Sequence, residues 1–161
     1  MAAEPPKVYA QGLLVLWSAK QNIQPKADLK FLLDNHIQHI AIANPKTAPY
    51  GMAAEFILKK YDLYDKISSK LVNGESITQT TQFIATQAAD VGFTAKAIVI
   101  SDEMKGKWVE LNRNDYPPIK QAAVLLKHGQ QNHAAESKKF YDFLFSSEAK
   151  IIYQRFGYII Q

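Results

Sequence analysis

An α/β fold is the architecture that this sequence predicts, and two observations predict it. Short apolar runs typical of buried strands alternate with helical apolar stripes over roughly the first 130 residues. Of the 161 residues, 47% are apolar and 21% are charged, which is an ordinary globular composition. A chain of this length suffices for one well-packed domain and part of a second.

The helices and strands can be placed in order from the periodicity of the apolar residues. The helix predicted over residues 49–61 carries an apolar stripe of Met52, Ala53, Phe56 and Ile57. Residues 1–7 and 128–133 are the linker candidates, and we place a boundary near residue 130. Strands are predicted at 13–17, 39–43, 70–72, 91–94, 107–111 and 121–127, and helices at 27–35, 49–61, 77–87, 133–144 and 149–156, the last ending at Gly157.

Composition argues against several classes of protein. Because the chain has no cysteine, disulfides, thiolate metal sites and cysteine nucleophiles are excluded. The net charge of +4 is spread along the chain without a basic stripe, so we expect no nucleic-acid partner. The longest apolar runs fall far short of the roughly 20 residues of a membrane span. We expect no secretory signal within these residues.

Residue patterns for catalysis or metal binding are also missing from the sequence. No HExxH, GxSxG, Walker or GxGxxG motif occurs, so we expect neither an enzyme nor a metal centre. We interpret the histidines as solvated or core residues; they are His36, His39, His128 and His133. We interpret the paired acidic residues as surface carboxylates; they are Asp62, Asp65, Asp102 and Glu103.

Two turns lead directly into helices and are candidate anion sites. The first spans 44–51, where Pro49 suits the first helical position and Tyr50 and Gly51 follow with N–H groups. The second spans 73–77. The first N–H groups of a helix have no intrahelical partners and carry partial positive charge, so they can hold an oxyanion.

Simpler interpretations of both turns stay open at the level of sequence. Pro49 and Gly51 are also what an ordinary helix entry uses. Ser76 can cap the second helix with its hydroxyl, or the N–H groups of Ile77 and Thr78 can face a ligand instead. The pairing of the two turns within one α/β unit favours a binding role, because ligands gather at the carboxyl ends of strands.

The first turn also carries a family resemblance. Residues 44–54, NPKTAPYGMAA, resemble the (D/N)Pxxx(P)xGxxA segment of periplasmic molybdate-binding proteins of ABC transporters, and they follow an Ile-Ala-Ile-Ala strand as in that family. Residues 74–80 and 83–93 are similar to the family's next helix and strand. The end of the chain, 140–158, resembles its C-terminal helices and their RYGF close. The resemblance runs from about Tyr9 to Gln161.

The fold that this resemblance implies is a periplasmic-binding-protein type II lobe, a central mixed sheet flanked by helices. It implies that residues 1–12 are a flexible N-terminus and the start of the crossover between lobes, and that 13–127 are the second lobe. Residues 128–161 would be the return crossover and the C-terminal helices of the first lobe. That lobe is expected to be incomplete, since the family's AAxSL and SG(A/S) segments do not occur here.

The implied function is that of a periplasmic receptor that binds molybdate or tungstate and delivers it to a membrane ABC permease, without a cofactor. The resemblance implies backbone N–H contacts from Tyr50 and Ile77, shaped by Gly51 and Ser76, which is half of a site. Some members use a tyrosine hydroxyl where this chain has Ala95.

The resemblance leaves alternatives and a consequence for assembly. The chain could bind another tetrahedral or small anion, or be the effector-binding lobe of a transcriptional regulator; a small α/β enzyme would lack an acid–base pair. C-terminal helices without their own lobe would expose Tyr141, Leu144, Ile152 and Phe156. A homodimer or an exchange between chains is therefore expected.

Overall fold

The computed structural model describes residues 2, 5–101 and 104–160, so Asp102 and Glu103 lie outside the described residues. The chain divides into two compact units. One is Leu13–Ile119, and the other combines Met1–Gly12 with Lys120–Gln161.

A five-stranded mixed sheet forms the centre of Leu13–Ile119. The strands are β2 (Leu14–Ser18), β3 (Ile40–Ala43), β4 (Leu71–Gly74), β5 (Val91–Ala95) and β6 (Lys107–Glu110). Their order in the sheet is β4-β3-β5-β2-β6. Strand β3 pairs in parallel with β4 and β5, whereas β2 is antiparallel to both β5 and β6. The predicted α/β class with a central mixed sheet is confirmed.

The central strands are buried on both faces, which explains why they read as continuous apolar runs. Because side chains alternate along a strand, Ile40 and Ile42 point to one face and Ala41 to the other. The first face packs against Ala53, Ala54, Ile57 and Leu58 of helix α1 (Pro49–Lys60). The second packs against Ile84 of helix α2 (Ile77–Ala85). The two helices therefore cover opposite faces of the sheet.

The helix prediction was right for α1 and α2 but not in every detail. The predicted stripe of α1 is wrong at Met52 and Phe56, which are about half exposed, because the buried face instead runs through Ala54 and Leu58. A short helix α3 (Lys96–Val99) directly after β5 was not predicted. The first predicted helix is a 3-10 helix, Leu29–Leu33, and further 3-10 helices span Asp65–Lys70 and Arg113–Asp115.

The second compact unit is built from a two-stranded sheet and three helices. Strands β1 (Lys7–Gly12) and β7 (Ile119–Ala123) form the sheet. The helices are α4 (Lys127–Asn132), α5 (Ala134–Phe143) and α6 (Ser147–Arg155). The unit has an aromatic cluster in which the rings of Tyr9 and Tyr153 lie 5.1 Å apart.

Three sequence-based boundaries change in this unit. The predicted linker 128–133 falls in α4, and the strand predicted at 121–127 starts at Ile119 and ends at Ala123. Because that strand pairs with β1 and not with the five-stranded sheet, the larger unit ends at Ile119, before the lobe end that the sequence predicts at residue 127. Helix α6 ends as predicted, with Gly157 at a φ of 74°.

Among the residues that the structure describes, no helix is both long enough and apolar enough to cross a membrane.

Candidate functional site

The parallel strands bring the two predicted turns to one edge of the sheet. Ala43 pairs with Gly74 at the carboxyl ends of β3 and β4. One residue further on, the backbone N–H of Asn44 donates to the carbonyl of Gly74 over 2.7 Å. Neighbouring strands lie about 4.8 Å apart. The chain segments that lead into α1 and α2 are therefore side by side.

The two segments separate at this edge of the sheet, which is the arrangement of a topological switch point. From β3 the chain runs through α1 to β4, and from β4 it returns through α2 to β5, on the other side of β3. The helices of these two connections cover opposite faces of the sheet. Ligands of open α/β sheets bind at such a switch point, outside the carboxyl ends of the strands.

Backbone packing fixes the start of α1. The Asn44 carbonyl accepts hydrogen bonds from the N–H groups of Thr47 and Ala48, at 3.2 and 2.9 Å. Ala48 precedes the helix and offers no side-chain cap. A Cβ atom on Gly51 would lie 2.2 Å from the carbonyl oxygen of Ala43. Glycine thus lets the first turn of α1 rest directly on the end of β3.

Side chains fix the start of α2. The Ser76 hydroxyl accepts a hydrogen bond from the N–H of Gln79 at 3.2 Å. The N–H of Glu75, the residue before the cap, donates to Oε1 of Gln79 at 2.6 Å, so the Gln79 side chain also reaches back to the segment that enters the helix. Ser76 is therefore the cap. In this arrangement the hydroxyl serves the third helical residue, and the N–H groups of Ile77 and Thr78 belong to the exposed first turn.

The structure thus places all four predicted site residues at one edge of the sheet. Tyr50 and Gly51 are buried in the first turn of α1, whereas Ser76 is exposed and Ile77 partly buried at the start of α2. Ala95 ends the neighbouring strand β5 and is also buried, so the methyl group there supplies no hydroxyl.

Sequence reasoning missed three threonines that shape this edge, and it included Gly74 only as part of the second turn. A Cβ atom on Gly74 would lie 2.5 Å from the Thr80 hydroxyl and 2.8 Å from its backbone nitrogen. Thr80, Thr81 and Thr94 are buried, and the hydroxyls of Thr81 and Thr94 are 2.8 Å apart. One signal could have found two of them, since Thr80 and Thr81 stand four residues after Ser76 and Ile77.

Buried charge lies at the opposite edge. Asp90 precedes β5, and its carboxylate accepts hydrogen bonds from the N–H groups of Gln38 and His39 and from Lys20. Burial raises the pKa of Asp90, but these hydrogen bonds, led by that from Lys20, outweigh burial and hold the pKa below its usual range. Among the described residues, the buried polar side chains near the helix starts are neutral hydroxyls.

Two further observations bear on the chemistry of this edge. A depression of about 350 Å³ adjoins the first turn and is lined by Asn44, Pro45, Lys46, Glu55, Tyr64 and Asn73. In the described part of the chain, no three His, Asp or Glu side chains are grouped as a metal site would require. What the arrangement offers to a ligand is backbone N–H donors at two helix starts.

Comparison with known proteins identifies relatives of the chain. The molybdate-binding protein of Rhodobacter capsulatus is 44% identical over 154 residues, which are 95% of this chain and 59% of that protein. A putative ABC transporter substrate-binding lipoprotein of Bacillus subtilis is 26% identical, over 90% of this chain and 54% of its own. The chain therefore spans little more than half the length of these curated relatives.

A solved structure and a family model agree with these matches. The periplasmic molybdate-binding protein of Azotobacter vinelandii superposes with a TM-score of 0.88 at 33% identity, covering 99% of this chain and 71% of that chain. The model of bacterial extracellular solute-binding proteins matches residues 1–159. The chain therefore belongs to the bacterial extracellular solute-binding protein family, and its predicted resemblance to the periplasmic molybdate-binding members is confirmed.

Proposed function

We propose that this chain is part of a receptor for molybdate or tungstate, with the oxyanion held at the starts of α1 and α2. The observation that carries the proposal is the pairing of β3 with β4, which sets two helix starts side by side at a switch point. The relatives named for molybdate binding support the choice of ligand. In this proposal the N–H groups of Tyr50 and Ile77 donate to the anion, and Gly51 and Ser76 shape those contacts.

Neutral donors suit a doubly charged oxyanion that must later be released. Helix N-termini supply partial positive charge without a buried cation, and so without its desolvation cost. The hydroxyl-lined sheet edge supports such a site. The proposed role is therefore binding, not catalysis, and it requires no resident cofactor or metal.

In the complete receptor, we propose that the remaining contacts come from the part of the relatives' length that these residues do not span. Each charge-assisted hydrogen bond contributes about 1.5 to 3 kcal/mol, so donors from one lobe give weak binding. We accordingly expect this chain alone to bind molybdate with a dissociation constant weaker than micromolar.

Amide-resolved NMR titration of the chain tests the site, since it detects weak binding. Adding molybdate or tungstate should shift the amides of Tyr50, Gly51, Ile77 and Thr78. The start of α6 is an internal control, because Ser146 caps it in the same way as Ser76 caps α2. Equal shifts at α6, or shifts with sulfate and phosphate but not with molybdate, would contradict the proposed ligand.

We further propose that the whole receptor works in the periplasm and delivers the anion to a membrane ABC permease. The Azotobacter relative is a periplasmic protein, which supports the compartment, and the Bacillus relative is a putative ABC transporter substrate-binding lipoprotein, which supports the transporter. Disrupting the gene in its source organism should lower uptake of radioactive molybdate at low external concentration. Unchanged uptake would contradict the transport role.

When this chain is alone in solution, we propose that a second copy covers its C-terminal helices. Two residues of the predicted face, Ile152 at 46% and Phe156 at 42%, are exposed there, as are Phe140 at 65% and Ile151 at 66%, whereas Tyr141 and Leu144 are partly buried. Light scattering should report a dimer that F140S/I151S converts to a monomer. Met52→Ser, which changes an exposed apolar residue of the other unit, is the matched control. A wild-type monomer at high concentration would refute this contact.

A further inference from the structure

Three threonine hydroxyls, those of Thr80, Thr81 and Thr94, form hydrogen bonds next to the start of α2. The Thr80 hydroxyl donates to the carbonyl oxygen of Ser76 at 2.9 Å, and the backbone N–H of Thr80 donates to the same oxygen at 3.0 Å. The Thr81 hydroxyl donates to the carbonyl oxygen of Ile77 at 2.8 Å. Both threonines are buried, so water competes little for these hydrogen-bonding groups.

The direction of the hydrogen bond between Thr81 and Thr94 follows from proton counting. A hydroxyl has one proton to donate and can accept as well. Thr81 uses its proton on Ile77, because a carbonyl oxygen can only accept. The hydroxyl of Thr94, 2.8 Å away and fully buried in β5, must therefore donate to Thr81. Two hydrogen bonds therefore run in series, from the Thr94 hydroxyl to that of Thr81 and from Thr81 to the Ile77 carbonyl.

The two carbonyls that receive these hydrogen bonds belong to the peptide units of the proposed donors. The carbonyl of Ser76 shares its peptide unit with the N–H of Ile77, and the carbonyl of Ile77 shares its unit with the N–H of Thr78. Hydrogen bonds in series polarise one another, so a carbonyl that accepts a hydrogen bond makes the N–H of the same peptide unit a stronger donor. At α1 the N–H groups of Tyr50 and Gly51 share peptide units with the carbonyls of Pro49 and Tyr50. The residues four positions after these carbonyls are Ala53 and Ala54, which have no hydroxyl.

We propose that Thr80, Thr81 and Thr94 are positioning residues that orient and strengthen the N–H donors of Ile77 and Thr78 toward an oxyanion. The proposal rests on the proposed function for its ligand. It adds that within this lobe the donors at α2 are strengthened by other side chains, whereas those at α1 are not. The affinity of the site for the anion then depends on buried hydroxyls that do not touch the anion.

The first test needs no ligand. Thr81→Val keeps the branched shape and removes the hydroxyl, so the Ile77 carbonyl carbon and the Thr78 amide proton should both move upfield in the NMR spectrum. Thr94→Val should move both in the same direction by less, and Thr81→Ser should restore wild-type positions. Thr86→Val is the matched control, because the Thr86 hydroxyl makes the same type of bond to the Gln82 carbonyl at the other end of α2.

The second test is the molybdate titration of the same variants. A strengthening of about 10 to 30% in one charge-assisted hydrogen bond to the anion corresponds to roughly 1.3- to fivefold weaker binding for Thr81→Val, with Thr86→Val and Thr81→Ser unchanged. Unchanged Ile77 and Thr78 resonances in Thr81→Val overturn the inference whether or not the chain binds. Absence of any molybdate response in the wild type, with the resonance changes present, overturns the proposed function and with it the ligand part of this inference.

Discussion

The starts of α1 and α2 lie at the same edge of one sheet, but different chemistry fixes each of them. At α1 the contact is between backbone and backbone, with Gly51 resting on the carbonyl of Ala43 and no side-chain cap. At α2 a serine cap, a glutamine and buried threonines surround the first turn. One start is fixed by the absence of a side chain and the other by the presence of several.

This difference predicts how each half of the proposed site responds to change. Backbone atoms of a packed strand cannot move aside, so the start of α1 should tolerate almost no added volume. Hydroxyl and amide side chains can rotate, and each can be removed by a separate substitution. Each substitution at the start of α2 should therefore remove only part of the stabilisation. The four predictions below test this contrast, from the largest expected effect to the smallest.

Gly51→Ala should destabilise the protein by about 2 kcal/mol, as expected for overpacking against a rigid neighbour. The added Cβ would lie 2.2 Å from the Ala43 oxygen and 2.7 Å from its carbonyl carbon. The helix preference of alanine over glycine, about 1 kcal/mol, offsets part of the clash. Urea denaturation measures the change. Met52→Ala, at the next and half-exposed position, is the control and should change stability far less.

Gly74→Ala should cost less, about 1 to 2 kcal/mol, because the nearest atom to the added Cβ is a side-chain hydroxyl. Thr80→Ala in the same chain removes that hydroxyl and should recover part of the loss. The recovery is partial, since the backbone nitrogen of Thr80 remains 2.8 Å away. A double-mutant cycle by urea denaturation measures the coupling. No recovery would mean that the start of α2 is as rigid as that of α1.

Ser76→Ala should cost about 1 kcal/mol, the usual effect of losing an N-terminal cap. Ser146→Ala removes the corresponding cap of α6, where the Ser146 hydroxyl accepts from the Ala149 N–H at 3.1 Å, and provides the reference value. Both variants can be compared by thermal unfolding. If Ser76→Ala left stability unchanged while Ser146→Ala lowered it, the cap at α2 would not be the contact that holds its first turn.

Much of the framework could be predicted because its signals are local. The strands around Leu16 and Ile42 are apolar on both faces, and Pro49 and Ser76 mark helix starts by chemistry that acts within one turn. The family resemblance then supplied the roles of Tyr50 and Ile77, which no periodicity could have given. The confirmed sheet and family follow from these signals, whereas the site roles remain a proposal.

The remaining features depend on contacts between residues distant in sequence. Nothing near Thr94 indicates that its hydroxyl meets Thr81, because the two are brought together only when α2 packs on β5. The helical stripe predicts that Met52 is in the core, but the actual packing direction of α1 exposes it. The strand predicted at 121–127 falls within the predicted lobe, because nothing in its residues indicates that its partner, β1, lies more than a hundred residues earlier.

The smallest expected effect concerns pH, and it contrasts the hydroxyl-lined edge with the opposite one. Because the pKa of the Asp90 carboxyl group is lower in the folded protein than in the unfolded chain, the ionised carboxylate stabilises the fold. This contribution is present above the unfolded pKa of about 3.9 and is lost as the pH falls through the lower pKa of the folded protein. Urea denaturation between pH 7 and 3 should show Asp90→Asn losing less stability on acidification than the wild type. The buried side chains next to Gly51 and Thr78 are neutral, so the pH dependence of these two amide resonances should be the same in Asp90→Asn as in the wild type. A pH dependence of the Thr78 resonance that changed in Asp90→Asn would show that the two edges are coupled, and the difference between α1 and α2 could then no longer be assigned to their own first turns.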